Sequence, residues 1–374
     1  MTRRAILSAA GISAFAAGLT TAGAQAASAE VLPPDAYPLR LPDMPLRDPY
    51  VLADPASGHH YLYVQNDVKL SGTPGIGTMV YRSRNLRDWP TPQTVFQVTP
   101  DLWGQRGAWA PEVHRGKGRW YLFVTLHDPN QPLPVPPAGK YGIPVQIPQF
   151  KRGTVIASSV SPLGPFAVID PSRSVAPTTF MTLDGTLFKD DKGKPWMVYA
   201  HEWIQKLDGT IEALPLKDDL SGAAGRPIHL FKGSDATWIS EDMPTPSVHQ
   251  LAPYVTDGPQ LHRLPGGALG MLWSTYGKTT NSTNGTVTGP YVQTWAVSPS
   301  GRLKGPWLQG RPLVRGGGHG MVFDSLPRGK KQRRVPMLIV HKGGTRTVAK
   351  LYEIELRRDG YRLGKQRKDL DGTA

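Results

Sequence analysis

The stretch LDGTLFKDDKGKPWMVYA, residues 183–200, decides how the rest of the chain is interpreted. Asp184 precedes an apolar run, a polar turn with Asp190 and Gly193 follows, and a second apolar run ends at Ala200. Two apolar runs separated by such a turn predict a β-hairpin. This hairpin carries a carboxylate at its open end.

Four other segments repeat the same order of a marked residue, a strand, a turn and a second strand. They begin at RDPYVL (47–52), WAPEV (109–113), TDGPQL (256–261) and GGHGMVF (317–323). Aligning the five copies puts five residues at one equivalent position: Asp48, Glu112, Asp184, Asp257 and His319. Intervals of 64, 72, 73 and 62 residues separate them.

Repeats of this length, with about four short strands each and no long amphipathic helix, are typical of propeller blades. Five copies predict an all-β fold, a five-bladed β-propeller. The first strand of each blade lies nearest the axis, so the five marked residues would meet at one central mouth. An ordinary turn is the better explanation of an acid in any single copy, but five copies in register favour the propeller.

The composition agrees with a turn-rich β protein. The chain has 374 residues, 39% of them apolar, with 41 glycines and 37 prolines. It has no cysteine, which excludes disulfides, cysteine-ligated zinc and thiol nucleophiles. We predict one catalytic propeller domain over residues 30–374.

The first 29 residues have the pattern of an export signal. Arg3 and Arg4 precede a run of apolar and small residues, and A-x-A cleavage patterns follow at residues 24–26 and 27–29. The two arginines fit a twin-arginine signal and also a simple positive start. No other apolar stretch is long enough to span a bilayer. We therefore expect a bacterial protein exported to the periplasm or the medium, without membrane insertion.

The formal net charge of +14 raises the question of nucleic-acid binding. The densest basic run, residues 328–334, falls at an expected hairpin turn and contains no aromatic residue. A solvated turn explains it better, with attraction to acidic polysaccharide or the cell envelope as the alternative. We expect no nucleic-acid partner, and the sequence does not indicate an oligomeric state.

Three aspartates, a glutamate and a histidine at one mouth would form an acidic funnel. Repulsion between close carboxylates raises the pKa of at least one of them, so one stays protonated while another is ionised. Cleavage of a glycosidic bond needs this pairing. Aromatic residues near the mouth are suited to stacking on sugar rings, although core or blade-to-blade packing is the better explanation of each one taken singly.

At these five motifs the chain resembles glycoside hydrolase family 43, whose members are five-bladed propeller enzymes that act on arabinose- and xylose-containing polysaccharides. The resemblance extends over almost the whole of residues 30–374. It implies an inverting, single-displacement mechanism, in which Asp48 matches the general base and Asp184 the aspartate that tunes the pKa of the acid. Asp257 occupies the place of the general acid, which is usually a glutamate in the family.

The aspartate at position 257 is one methylene shorter than the family's glutamate, so its carboxyl would stand about 1.5 Å further back. Three explanations remain open. A small strand shift restores the reach, the acid is Glu202 instead, or the propeller binds carbohydrate without cleaving it.

His319 matches a histidine that lies near a water-coordinated calcium at the axis in many family members. A hydrogen bond inside a tight glycine-rich turn is the alternative role for this residue. The resemblance requires no cofactor and allows a structural calcium ion. The residues expected to contact a carbohydrate substrate, or otherwise to form salt bridges and structural hydrogen bonds, are Arg47, Trp109, Glu112, Glu202, Trp203, Trp273 and Arg315.

The sequence thus predicts an exported inverting glycosidase of the arabinofuranosidase or xylosidase type, acting on chain ends of plant polysaccharide. A carbohydrate-binding propeller without catalytic activity is the second hypothesis. A sucrose- or fructan-cleaving enzyme is the third, and it is less favoured because a retaining mechanism needs a closer carboxylate pair.

Overall fold

The computed structural model describes residues 38–135, 148–241, 254–280, 287–327, 333–343 and 346–372. The predicted export signal lies outside these ranges, and so do residues 136–147 of the proline-rich segment after His127. Within the described ranges the chain is built from β-strands, and its helices are single turns.

Five groups of strands follow one another along the chain. Blade one contains β1 (Tyr50–Asp54), β2 (His59–Gln65), β3 (Gly77–Ser83) and β4 (Gln93–Gln97). Blade two contains β5 (Arg106–Gly116), β6 (Arg119–Pro132), β7 (Phe150–Ser159) and β8 (Ala167–Val168). Blade three contains β9 (Thr182–Lys189), β10 (Pro195–His201), β11 (Thr210–Pro215) and β12 (Ile228–Lys232).

One larger sheet supplies the last two blades. Blade four contains β13 (Asp257–Arg263), β14 (Leu269–Tyr276), β17 (Tyr291–Ser298), β18 (Leu308–Gln309) and β19 (Val314–Arg315). Blade five contains β20 (Gly317–Asp324), β21 (Pro336–Lys342), β22 (Val348–Arg357) and β23 (Gly360–Gln366). A parallel pair between Val292 and Gly317 joins them, and β15 (Thr279–Thr280) and β16 (Val287–Thr288) form a separate ribbon.

The helical turns lie between the strands and at the two ends of the described chain. The α-helical turns are α1 (Val68–Ser71), α2 (Trp203–Lys206) and α3 (Lys368–Asp371), and the 3-10 turns are Leu41–Asp43, Gly233–Asp235 and Thr237–Ser240. None of the described helices is long and apolar enough to cross a membrane.

The first strands of the blades form a closed ring. Strand β1 contacts β5, β5 contacts β9, β9 contacts β13, β13 contacts β20, and β20 returns to β1. This closure confirms the predicted propeller, because five inner strands surround one axis.

The predicted hairpin at residues 183–200 is formed by β9 and β10. Asp190 closes its turn, because one carboxylate oxygen accepts hydrogen bonds from the backbone N–H groups of Lys192 and Lys194 at 2.9 and 3.0 Å. Gly193 has a φ of +74°, which a residue without a Cβ adopts without strain. The sequence therefore identified the side chains that define this turn correctly.

The proline-rich segment from His127 to Phe150 begins as an extension of strand β6. The strand continues through Asp128 as far as Pro132, and Asp128 pairs with Lys151 of β7. A proline is tolerated at the end of a strand, as here at Pro132. Residues 136–147 lie outside the described chain.

The segment before blade one closes the ring against blade five. Leu41, Met44 and Leu46 are fully buried in a core cluster that includes Ile339 of β21. The backbone N–H of Leu46 donates to the carbonyl oxygen of Thr347 at 2.9 Å. Apolar burial across this seam stabilises the closed ring at roughly 25 cal/mol per Å².

Candidate active site

Each inner strand has a residue in the left-handed region at or near its start. The φ angles are +48° at Asp48, +44° at Ala110, +57° at Asp184, +50° at Gly258 and +44° at His319. In blades two to five this residue opens a β-bulge, in which two residues oppose one residue of the second strand. Non-glycine residues in this region cost about 1–3 kcal/mol and cluster at functional sites.

The bulges correct the alignment of the five copies. Glu112 lies two residues after the bulge residue Ala110, and Asp257 lies one residue before the bulge residue Gly258. The position after the bulge residue marks the true repeat, because it is proline in blades one, two and four and glycine in the other two. Aligning the X-Pro pairs would have given this register from the sequence.

The preceding blade binds the backbone amide of the bulge residue. Asp184 N–H donates to Thr125 Oγ1 at 2.9 Å, and His319 N–H donates to Ser274 Oγ at 2.7 Å. Thr125 and Ser274 pair with the residues just before the bulges of their own blades, and His341, which lies 3.2 Å from the Asp48 nitrogen, holds the same position in blade five. In three of the five blades, a side chain at this repeated position therefore binds the start of the next inner strand.

The second residue of each bulge is either proline or glycine, and its backbone amide explains this choice. Gly185 N–H donates to Thr154 Oγ1 at 3.0 Å, and Gly320 N–H donates to Gln293 Oε1 at 2.6 Å, again from the preceding blade. The other three blades have proline here, which has no N–H to satisfy. The buried backbone therefore leaves no orphan donor at this position.

The carboxyl group of Asp48 faces two histidines. Its Oδ1 lies 3.2 Å from Nδ1 of His319 and 3.1 Å from Nδ1 of His341, and its side chain is 16% exposed. Burial alone would raise the pKa of Asp48, but His319, His341 and Arg47 together hold this pKa well below its usual range. Asp48 is therefore ionised at neutral pH.

Asp184 is buried next to Asp48. Its Oδ2 accepts the backbone N–H of Gly258 at 3.1 Å and lies 3.7 Å from Nδ1 of His319. Burial and the charge of Asp48 raise the pKa of Asp184 well above its usual range, although the Gly258 hydrogen bond opposes the shift. Two neighbouring carboxyls thus have pKa values displaced in opposite directions.

Asp257 is the third carboxyl group of the cluster. It is 9% exposed, and its Oδ2 accepts a hydrogen bond from the hydroxyl of Tyr291 at 2.9 Å. Burial and the charge of Asp184 raise the pKa of Asp257 well above its usual range, whereas His319 lowers it. Asp257 therefore holds its proton to a higher pH than a free aspartate does.

Glu202 is 5% exposed, and its charge acts on both Asp184 and Asp257. Its carboxylate pairs with the guanidinium of Arg152, which also lies 4.9 Å from the ring centroid of Trp109. The Trp109 ring stacks on His127 with centroids 5.6 Å apart. Glu202 is thus the inner end of a chain of contacts that reaches the half-buried Trp109.

Glu112 is bound between the inner strands of blades two and three. Its Oε2 accepts the hydroxyl of Thr186 at 2.6 Å and lies 3.0 Å from Nε2 of His114. Its carboxylate is held by these contacts within the inner strands. The structural hydrogen bond considered for Glu112 is therefore present.

His319 has a hydrogen-bonding role at the axis, since its Nδ1 faces Asp48 and its backbone N–H is bound by Ser274. The described residues contain no group of three or more His, Cys, Asp or Glu side chains that could hold a metal ion. The calcium ion therefore stays a prediction.

The remaining predicted substrate contacts have different environments. Arg47 and Arg315 are exposed, and Trp203 is half-buried at the start of α2. The prediction for Trp273 is wrong, because its side chain is fully buried and its ring lies 5.4 Å from that of Phe231. Trp273 opposes the bulge of its blade and faces the core between the sheets.

Three residues of the site were not predicted. Tyr291 holds Asp257, His341 contacts Asp48, and Arg152 pairs with Glu202. All three lie on second or third strands, whereas the sequence motifs mark only first strands. The repeated position shared by Thr125, Ser274 and His341 is the signal that would have found His341.

Comparison with known proteins gives a consistent result. A family model described as glycosyl hydrolases family 43 matches residues 44–331. An endo-arabinase from Bacteroides thetaiotaomicron VPI-5482 is 32% identical over 87% of this chain and 100% of its own, with a TM-score of 0.68. No curated protein sequence matches.

Two other solved structures show the fold alone, since they are less similar in sequence. An endo-1,4-beta-xylanase from Bacteroides thetaiotaomicron VPI-5482 has 19% identity over 86% of this chain and 95% of its own, with a TM-score of 0.61. An alpha-L-arabinofuranosidase from Lactobacillus brevis has 17% identity over 86% of this chain and 94% of its own, with a TM-score of 0.56.

Proposed function

The chain belongs to family 43 of the glycosyl hydrolases, and on that premise we propose that it hydrolyses arabinofuranosyl or xylosyl linkages of plant cell-wall polysaccharide with inversion. The observation that supports the proposal is the opposite displacement of two pKa values: Asp48 is ionised, whereas Asp257 keeps its proton. A single displacement needs one carboxyl group in each of these states.

Asp48 acts as the general base. It removes a proton from a water molecule as the water oxygen attacks the anomeric carbon. His319 and His341 support this role, because contacts at 3.2 and 3.1 Å keep the carboxylate ionised and oriented. A base held ionised in this way accepts the proton only in the course of the reaction.

Asp257 acts as the general acid. The bond between the anomeric carbon and the glycosidic oxygen breaks, and that oxygen receives the Asp257 proton as it leaves. Asp184 supports this step in two ways: its charge keeps Asp257 protonated, and its Oδ2 binds Gly258 N–H at 3.1 Å, next to the acid. This agrees with the tuning role that the family resemblance implies for Asp184.

Glu202 is the weaker candidate for the acid. A carboxylate paired with a guanidinium is occupied as a hydrogen-bond acceptor, and Arg152 holds Glu202 in this way. Its negative charge instead raises the pKa values of Asp184 and Asp257. We therefore assign Glu202 an electrostatic role.

Arabinan is the first substrate to test, because the 32%-identical relative is described as an endo-arabinase. Trp109 and Trp203 are proposed to contact the sugar, since both are half-buried near the carboxyl cluster, and the exposed Arg47 and Arg315 are proposed to bind hydroxyls. The preference for chain ends, and export by the signal in residues 1–29, remain part of the proposal.

Release of reducing sugar from arabinan and from aryl arabinofuranosides and xylosides tests the reaction. Proton NMR of the first product tests inversion, because the anomer formed must be opposite to the anomer cleaved. We expect Asp48→Asn to reduce turnover by about 10²–10⁴-fold. The matched control is Asp190→Asn in the exposed turn of the β9–β10 hairpin, which should retain activity.

A carbohydrate-binding propeller would give a different result. Wild-type protein would then bind arabinan without releasing product at any pH. A retained anomeric configuration would instead exclude the single displacement and favour a closer carboxylate pair.

A further inference from the structure

The hydroxyl of Tyr291 donates a hydrogen bond to Oδ2 of Asp257 at 2.9 Å. Tyr291 begins β17, the third strand of blade four, whereas Asp257 begins the first strand. Within the described part of the chain, no other side chain hydrogen-bonds the Asp257 carboxyl. The orientation of this carboxyl group therefore depends on one neighbour.

Tyr291 is itself held firmly. Its ring is stacked on His341 of blade five with centroids 5.4 Å apart and planes within 8° of parallel, and the ring of Tyr276 lies 4.8 Å away on its own blade. The ring also passes close to the backbone of Gly318, where an added Cβ would lie 2.6 Å from Tyr291 Cε1. A phenol packed against two blades has few alternative rotamers.

The same stack connects the two ends of the proposed reaction. His341 lies 3.1 Å from Asp48, and Tyr291 lies 2.9 Å from Asp257. A contact between these two rings thus links the proposed base to the proposed acid across the seam between blades four and five.

We propose that Tyr291 is a positioning residue for Asp257, which fixes Oδ2 so that the other oxygen, Oδ1, carries the proton delivered to the glycosidic oxygen. This inference rests on the proposed function. It explains how an aspartate serves where the family usually has the longer glutamate. The short side chain of an aspartate gives its carboxyl group few alternative positions. A hydrogen-bond donor on another residue therefore fixes the orientation of this group.

The hydrogen bond also has an electrostatic consequence. A donor to a carboxylate stabilises its charged form, so Tyr291 opposes the rise in the pKa of Asp257. The other titratable or charged groups that face Asp257 are Asp184, His319, Glu202 and Tyr276. Removing only the Tyr291 hydroxyl leaves all of these in place.

Tyr291→Phe is the test variant, because it keeps the ring that stacks on His341. Loss of the hydroxyl should lower kcat on arabinan about tenfold. It should also move the alkaline limb of the kcat profile upward by about one pH unit, because Asp257 then keeps its proton to a higher pH. An activated dinitrophenyl glycoside should show a smaller loss of kcat, since its leaving group needs no proton.

Tyr199→Phe is the matched control. Tyr199 donates to Oε2 of Glu212 at 2.8 Å, a buried hydroxyl-to-carboxylate bond within blade three. Its removal costs a similar hydrogen bond elsewhere, so thermal stability should fall as in Tyr291→Phe while the alkaline limb stays in place. A shift in both variants, or in neither, would overturn the positioning role.

A double variant separates positioning from general structural support. If Tyr291 acts through Asp257, adding Tyr291→Phe to Asp257→Asn should cause no further loss of kcat on arabinan. If the double variant instead shows the product of the two single losses in kcat, the inference is rejected. The proposed function has its own test in the single variant. It is wrong if Asp257→Asn alone retains wild-type activity.

Discussion

Nδ1 of His319 lies 3.2 Å from Oδ1 of Asp48 and 3.7 Å from Oδ2 of Asp184, so one imidazole faces a carboxyl group of blade one and another of blade three. The two carboxyl groups respond differently, because His341 also contacts Asp48, whereas Asp184 is more deeply buried. The pKa of Asp48 is therefore lowered and that of Asp184 raised within a single cluster.

Replacing His319 should change the acidic side of the pH profile. Asp48 must be ionised to act as a base, so activity is lost as the pH falls through its pKa. Burial raises this pKa and His319 lowers it. His319→Asn therefore moves the acid limb of kcat/KM to higher pH, and asparagine also tolerates the positive φ at this position.

His262→Asn is the control for that experiment. His262 is also on an inner strand, but its Nδ1 lies 3.1 Å from the hydroxyl of Tyr361 and it is not among the groups that act on Asp48. The acid limb of kcat/KM for His262→Asn should lie at the same pH as that of the wild type. An unmoved limb in His319→Asn would contradict the role given to His319.

Glu202→Gln distinguishes the two candidates for the acid. In the electrostatic role, the lost negative charge lowers the pKa of Asp257, so the alkaline limb moves to lower pH while turnover at acidic pH persists. If Glu202 were the acid, turnover on arabinan would instead fall by about 10²–10⁴-fold. A pH profile of kcat from acidic to alkaline buffer decides between these outcomes.

Asp257→Asn should discriminate between substrates by their leaving groups. A poor leaving group such as a sugar hydroxyl needs the proton, so kcat on arabinan should fall by about 10²–10⁴-fold. A dinitrophenyl glycoside leaves unaided and should lose far less. Asp48→Asn should reduce the turnover of both substrates alike. If Asp48→Asn is the variant that spares the dinitrophenyl glycoside, the assignments of acid and base must be exchanged.

Gly320→Ala should destabilise the fold. An added Cβ would overlap the carbonyl oxygen of Ile339 and lie 2.9 Å from Oε1 of Gln293, which binds the Gly320 amide. We expect a loss of about 2 kcal/mol or more in the free energy of unfolding, measured by urea denaturation. Gly193→Ala is the control: its φ is +74° but nothing lies within 4 Å of an added Cβ, so it should cost about 1 kcal/mol.

The sequence predicted the fold well because the blade repeat is local. The hairpin at 183–200, with Asp190 and Gly193 in its turn, needs only neighbouring residues to be recognised. The catalytic assignments remain predictions, but the three aspartates that carry them do lie together. The register error at Glu112 and Asp257 arose because acids were aligned in place of the X-Pro pairs that mark the bulges.

Other features depend on contacts between distant segments. A tryptophan suits both a sugar platform and a core, and the burial of Trp273 against Phe231 is what shows that it faces the core. Tyr291 and His341 acquire their roles from stacking across two blades, which no local pattern encodes.

The hydrogen bond from Leu46 to Thr347 sets an order for biosynthesis. A ribosome makes Leu46 long before Thr347, so Leu41, Met44 and Leu46 leave the exit tunnel before Ile339, Ala349 and Leu351 of blade five, which belong to the same core cluster. Apolar residues at this edge of the early blades therefore stay exposed until blade five has been synthesised. Slowed translation late in the message should therefore prolong exposure of this edge to chaperones and proteases.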